Sequence, residues 1–317
     1  MFETTNPYTG ETLKTFETAT AGEITQAIGD ADAAFQQWRM TSFAKRVEVM
    51  RAAAQILRRD TDKYAPLLTV EMGKLIAEAH AEVELSAAIF DYYADNAERL
   101  LAPEKLPVTD PAEGDAVLVH DPLGVLLAIE PWNFPYYQIA RIIAPQLSAG
   151  NTILLKHAAN VPQCAAAFEE LMLEAGLPKH AFINLYVDHD HVQMILDDPR
   201  VQGVALTGSE AAGAAVASAA GRALKKSTME LGGADAFIVL KDADLEKTVK
   251  WAVFGRHWNG GQVCVSSKRM IIADESTTNS SKAIPKVWAR CAWVTHSTLR
   301  PLWRRSLPNG LRMVSEK

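Results

Sequence analysis

From residue 115 to residue 226 the chain alternates short apolar runs with stretches of helical period, and that alternation constrains its fold more than any other feature. DAVLVHDP (115–122) and GVLLAIEP (124–131) read as strands, FPYYQIARIIAPQL (134–147) as a helix and NTILLK (151–156) as a buried strand. VPQCAAAFEELMLEAG (161–176) is a helix closed by Gly176; AFINLYV is strand-like, HVQMILDD helical, VQGVALTG a strand and SEAAGAAVASAAGRALKK a helix. Such alternation predicts a parallel sheet with helices on both faces, the outline of a dinucleotide-binding architecture. Architecture by itself does not fix chemistry.

Before this region, EITQAIGDADAAFQQWRM and FAKRVEVMRAAAQILRRD place apolar residues three and four apart, and the pattern continues from Gly73 to Leu101. A helical layer comes first, and PEKLPVTDPAEGD ends it with three prolines and a glycine. After the alternating region, STMELGG and DAFIVL are strand-like, DLEKTVKWAVFGRHWN is helical and SKRMIIAD is a strand. No sustained period follows Glu275, and no internal repeat is seen.

Charge breaks at the same point. The net charge is -6 overall, but the last 43 residues hold eight basic against two acidic side chains, leaving residues 1–274 strongly acidic. Nothing here suggests a nucleic-acid partner, which requires a concentrated basic face. The start, MFETTNPYTGETLK, lacks a basic segment followed by an apolar run, and no apolar stretch is long enough to cross a membrane. Cys164, Cys264 and Cys291 are too widely spaced for a disulfide framework or a metal cluster. The expectation is a cytoplasmic, reduced protein with no metal.

Four segments carry the chemical signal: PWNFP (131–135), GNTILLK (150–156), TGSEAAG (207–213) with MELGG (229–233), and GQVC (261–264). Taken singly, each has a plain alternative. Cys264 reads as an inert core thiol, Asn133 as a turn residue, Glu230 as a solvated strand end, Lys156 as a surface charge, and Gly208, Ser209 and Gly213 as a glycine-rich turn unlike the usual G-x-G-x-x-G. In this order and spacing the four resemble the aldehyde dehydrogenase superfamily, from about Asn6 to Asp274, and LLKHAANV resembles its succinate-semialdehyde dehydrogenases, with other short aldehydes still open as substrates.

The resemblance implies an α/β fold: a Rossmann-type parallel-sheet cofactor domain with a helical layer over residues 1–231, and an incomplete α/β catalytic domain starting at 232–274. It makes Cys264 the nucleophile that attacks an aldehyde as thiolate, Asn133 an oxyanion donor and Glu230 the base that activates water for deacylation. Trp132, Lys156, Ala159, Gly208, Ser209, Gly213 and Leu231 fall at cofactor-binding positions. Ala159 stands where many NAD-preferring relatives carry a glutamate; without that repulsion toward a 2′-phosphate, NADP or dual NADP and NAD use is expected. Arg141 matches an arginine that holds the distal carboxylate of succinate semialdehyde, with a structural arginine as the equal alternative. Full-length relatives are homo-oligomers.

Residues 275–317 do not resemble the family, and the segments expected after the cysteine are missing. Their codons, read in a frame displaced by two nucleotides, permit a Gly-Asp-Pro run that the family carries at about this distance. The tail is therefore expected to be a poorly ordered, frameshifted reading of a longer gene. Three readings follow: an NAD(P)-dependent aldehyde dehydrogenase, weak or inactive in this shortened form; a non-catalytic dinucleotide-binding remnant; and, disfavoured by the cofactor-site residues, a nicotinamide-independent thiol hydrolase.

Overall fold

The computed structural model describes residues 1–273 apart from 111 and 113. They fall into two compact units, Met1–Gly232 and a second beginning at Gly233. Cys291 and the readings of the 275–317 tail lie outside the described residues.

The first unit opens with a hairpin that the sequence reading did not identify: β1 (Phe2–Thr5) pairs antiparallel with β2 (Thr12–Phe16). Its turn carries a recognisable signal, because the Asn6 side chain accepts the Tyr8 N–H at 2.9 Å before Pro7-Tyr8-Thr9-Gly10 returns the chain. The expected helical layer follows as α1 (Ala21–Trp38), α2 (Phe43–Arg59), α3 (Thr61–Met72) and α4 (Ile76–Leu100). Thr20 and Glu23 form a reciprocal capping box at α1, and the Ser42 side chain caps α2.

DAVLVHDP does not join the main sheet. Only β4 (Ala116–Leu118) is strand, paired antiparallel with β3 (Glu104–Leu106) in a separate ribbon of largely exposed residues. The alternating region proper supplies β5 (Val125–Glu130), α5 (Pro135–Ala149), β6 (Thr152–His157), α6 (Pro162–Glu174), β7 (Phe182–Asn184), α7 (His191–Asp197), β8 (Val201–Thr207), α8 (Glu210–Arg222) and β9 (Lys226–Glu230). All five strands are parallel, in the order β7-β6-β5-β8-β9. Strand order reverses between β5 and β8, where open α/β sheets leave a crevice at the strands' carboxyl ends.

Two buried clusters flank the sheet. One joins α2, α3 and α4 to α5 and α6, and the other joins α1 to α7 and α8. The first layer also reaches the helix starts. Both α5 and α6 begin with proline, which has no N–H to leave unsatisfied. The next two N–H groups of α5, from Tyr136 and Tyr137, go to Glu82 Oε1 at 2.8 and 3.2 Å. Those of α6, from Gln163 and Cys164, go to the two carboxyl oxygens of Glu71, each at 2.9 Å. Helix N-termini favour such negative charge. Glu82 is itself paired with Lys74, both fully buried, and Glu71 accepts from Thr4 Oγ1 at 2.5 Å.

The second unit is one β-α-β turn, with β10 (Asp235–Val239) and β11 (Ser267–Ile272) parallel and α9 (Leu245–His257) connecting them. The Asp244 side chain caps α9 by accepting the Glu246 and Lys247 N–H groups at 3.1 Å.

Removing Glu82 leaves a buried ammonium, the buried Tyr136 amide and the half-buried Tyr137 amide without their shared acceptor, so Glu82→Ala is expected to cost about 3–5 kcal/mol. The double variant Lys74→Met with Glu82→Leu, which removes the buried charge as well, is expected to lose less. Urea unfolding of the three proteins measures both differences.

Candidate active site

Four residues from neighbouring strands form a row along the carboxyl edge of the sheet. Glu130 of β5 is in register with His157 of β6, and Thr207 of β8 with Glu230 of β9. Ile129 and Leu206, one residue earlier, pair β5 with β8. Arg141 of α5 reaches this row: its Nη2 donates to Thr207 Oγ1 at 2.5 Å, and its Nη1 lies 3.6 Å from Glu230 Oε2. The predicted base and the predicted substrate-holding arginine are thus neighbours, with the guanidinium already engaged by Thr207. The Glu230 side chain is 59% exposed, so the pair contributes little to stability and leaves the carboxylate accessible.

The loop 131–134 between β5 and α5 carries two predicted residues, Trp132, which is exposed, and Asn133, which is half-buried. Lys74 Nζ donates to the Asn133 carbonyl at 3.2 Å and lies 4.4 Å from the centre of the Phe134 ring. On the other side the buried His157 ring spans the loop: Nδ1 lies 3.1 Å from the Glu130 carbonyl and Nε2 3.1 Å from that of Pro135. The Ala158 N–H also points at Nδ1, at 2.9 Å, which makes Nδ1 the acceptor and Nε2–H the donor to Pro135. Burial pushes this imidazole down to about 4, so it is neutral near pH 7.

At the turn from β8 to α8, the Gly208 N–H donates to the Glu230 carbonyl at 3.0 Å, and Ser209 caps the helix by accepting the Ala212 N–H at 3.2 Å. Unlike α5 and α6, this helix start draws its side-chain cap from its own N-cap residue. Gly213 has a packing role that the sequence did not show. Its N–H is spent inside the helix on the Ser209 carbonyl at 2.9 Å, and a Cβ at this position would lie 2.5 Å from Leu231 Cδ2. It permits close helix–strand packing and has no N–H to offer a phosphate.

Lys156 is not a surface charge. It is 6% exposed, and burial lowers its pKa against the opposing influence of Asp188. Ala159, three residues on, is exposed, and its carbonyl accepts the Glu3 N–H at 3.2 Å.

In the second unit Cys264 lies partly buried in the turn between α9 and β11. Asn259, Gly260 and Gly261 precede it with φ of 54°, 64° and 77°, three successive left-handed residues that redirect the chain after the helix. The turn is tied down by the Ser266 hydroxyl donating to the Gly255 carbonyl at 2.7 Å and by Arg256 Nη1 donating to the Gly261 carbonyl at 3.2 Å. Cys164 is the contrasting thiol: it is fully buried, and desolvation with the neighbouring Glu71 raises its pKa well above the ordinary range, so it is inert. Among the described residues no group of three His, Cys, Asp or Glu side chains could hold a metal ion.

Sequence reading missed Glu130, His157, Lys74 and Glu82. For the first two a signal existed, since a carboxyl and an imidazole end runs that are otherwise suited to burial on both faces.

The aldehyde dehydrogenase family model matches residues 1–290, so the family resemblance runs past Asp274, where the sequence reading ended it, into the first part of the tail. A protein of Deinococcus radiodurans named succinate-semialdehyde dehydrogenase [NADP(+)] is 48% identical over 274 residues, covering 86% of this chain and 57% of its own. One of Mycobacterium ulcerans named succinate-semialdehyde dehydrogenase [NADP(+)] 1 is 49% identical over 269 residues, covering 84% of this chain and 59% of its own. The crystal structure of succinic semialdehyde dehydrogenase from Streptococcus pyogenes, in complex with NADP+, superposes with a TM-score of 0.88 at 44% identity, over 92% of this chain and 63% of that one. The chain therefore spans about 57–63% of the length of these relatives.

A histidine whose pKa falls on folding stabilises the native state above its unfolded value near 6.5 and loses that contribution as pH falls toward about 4. Between pH 7 and pH 5 this amounts to roughly 2 kcal/mol. His157→Gln is expected to flatten that part of the acid limb, as measured by urea midpoints at the two pH values.

Proposed function

The chain belongs to the aldehyde dehydrogenase family, and we propose that it carries the thiol, base and cofactor residues of an NADP-dependent oxidation of succinate semialdehyde to succinate. The observation that carries this reading is the sheet edge at the strand-order switch, where Glu230, Arg141 and the Asn133 loop project from adjacent elements, in a chain 48% identical to a protein named for that reaction.

The first unit's residues fit a 2′-phosphorylated dinucleotide. Lys156 supplies a positive charge at the end of a buried strand, Ala159 brings no carboxylate to repel the phosphate, and the Gly208-Ser209 turn opens the α8 N-terminus toward an anion. Trp132 and Leu231 add exposed apolar surface. The bound cofactor would accept hydride from the substrate.

The chain's own residues supply the rest. In this reading the Cys264 thiolate of the second unit forms a carbon–sulfur bond to the aldehyde carbon, and the role of the Asn133 amide of the first unit is to donate to the oxyanion that results. At the thioester stage the Glu230 carboxylate takes a proton from the attacking water, and the thiolate leaves as the acid is released. Arg141 offers a guanidinium to the substrate's distal carboxylate, with Thr207 orienting it. Among the described residues no helix is long and apolar enough to cross a membrane. A cytoplasmic enzyme acting on a small aldehyde is the setting in which this chemistry fits.

NADPH formation from succinate semialdehyde by the 317-residue protein tests the reading. Only weak turnover is expected from this shortened chain with NADP, abolished by Cys264→Ala and lowered roughly 10²–10³-fold by Asn133→Ala. Ala159→Glu is expected to shift preference toward NAD. Binding of NADP without turnover would replace this reading with a non-catalytic dinucleotide-binding chain, and turnover independent of either nucleotide would point to a thiol hydrolase.

A further inference from the structure

Glu130 is a carboxyl in an unusual place. It ends β5, is 2% exposed, and neither of its oxygens makes a hydrogen bond of ordinary geometry among the described residues. Its surroundings can be named element by element. From β6 comes His157, neutral and with both ring nitrogens occupied by backbone groups. From β8 comes the Thr207 hydroxyl, which already accepts from Arg141. From β9 comes the Glu230 carboxylate, and from α5 the Arg141 guanidinium, stacked 5.9 Å from the centre of the Tyr137 ring. Lys156 is in register with Ile129, so strand alternation turns it to the opposite face from Glu130. Burial raises the Glu130 carboxyl to about 8; Thr207 and Arg141 lower it, and the charge of Glu230 raises it further.

One guanidinium therefore stands among two carboxyl groups of different exposure. Arg141 has committed Nη2 to Thr207 and holds Nη1 3.6 Å from Glu230, while its buried Nε has no hydrogen-bond partner among the described residues. A cation with an unspent donor responds to whichever neighbouring carboxyl is charged.

We propose that Glu130 is a positioning residue for Glu230, acting through Arg141. With Glu130 protonated, Arg141 keeps its charge for Glu230 and holds that carboxylate back against the sheet edge. When Glu130 releases its proton to solvent, the two carboxylates compete for the one guanidinium and Glu230 is freed to face the crevice. The availability of Glu230 then follows the protonation of a group that never touches substrate. This inference rests on the reading of Glu230 as the base, but its test does not need turnover.

The test is carboxyl-carbon NMR of the full chain labelled at glutamate Cδ, followed across neutral and alkaline pH without cofactor or aldehyde. The expected result is a Glu130 resonance with a midpoint near 8, and a Glu230 resonance with a second inflection at the same pH. Glu130→Gln, which keeps the shape and charge of the protonated form, should leave Glu230 with a single step. Arg141→Met should remove the inflection from Glu230 while Glu130 still titrates. A Glu130 already ionised at pH 6, or a Glu230 resonance with no second step in the unsubstituted protein, overturns the proposal even if Glu130→Gln fails to fold. Failure of catalysis alone would leave both resonances as described, so the two readings fail separately.

Discussion

The buried Lys74–Glu82 pair is the interaction on which the candidate site most depends. An ionised carboxylate accepts hydrogen bonds only, and Glu82 is surrounded by donors: the Lys74 ammonium and the N–H groups of Tyr136 and Tyr137. Desolvating both charges is expensive, and what offsets it is that each partner has a second task. Glu82 ends α5 where its N–H groups would otherwise be orphaned, and Lys74 reaches past it to the Asn133 carbonyl. The helical layer thereby determines where the loop between β5 and α5 can lie. Glu71 repeats the device at α6, and in both helices the proline at the first position reduces the number of donors to be met. At α8 the side-chain cap comes from Ser209 itself. That difference makes its N-terminus the one of the three best suited to an anionic ligand.

Charge at the sheet edge is arranged by burial as much as by sequence. His157 is neutral because burial outweighs the backbone carbonyls that favour its charged form, and Glu130 is held near neutrality because burial removes water from a carboxyl with few donors. Glu230, a short distance along the same row, keeps most of its side chain in solvent. Similar residue types thus acquire different properties from their position across adjacent strands. Arg141 is the connection between them, and its engagement with Thr207 and Glu230 means that a substrate carboxylate would have to share it.

The parallel sheet and its helices were legible because burial on both faces imposes a local signature: short apolar runs such as VLLAIE and TILLK, each followed by an amphipathic stretch. The positions of Asn133, Glu230 and Gly208 at strand ends followed from the same pattern. What local periodicity could not reveal were partners distant in the chain. Nothing in the sequence around Glu82 indicates that it meets Tyr136, or around Glu71 that it meets Cys164, because both contacts arise only when α3 and α4 pack on α5 and α6. DAVLVHDP was misplaced because an exposed ribbon and a buried strand share short apolar runs. Gly213 shows the same limit: its part in close helix packing is visible only once the neighbour, here Leu231, is known.

If Glu82 holds the start of α5, the amides of Tyr136 and Tyr137 should exchange with solvent as slowly as those of the core of β5. Residue-resolved hydrogen exchange on the full chain and on Glu82→Gln tests this directly. Acceleration at those two amides in the variant, with the Leu127 amide unchanged, is the predicted result. Equal protection of Tyr136 and Tyr137 in both proteins would show that the loop is held by something other than the buried pair.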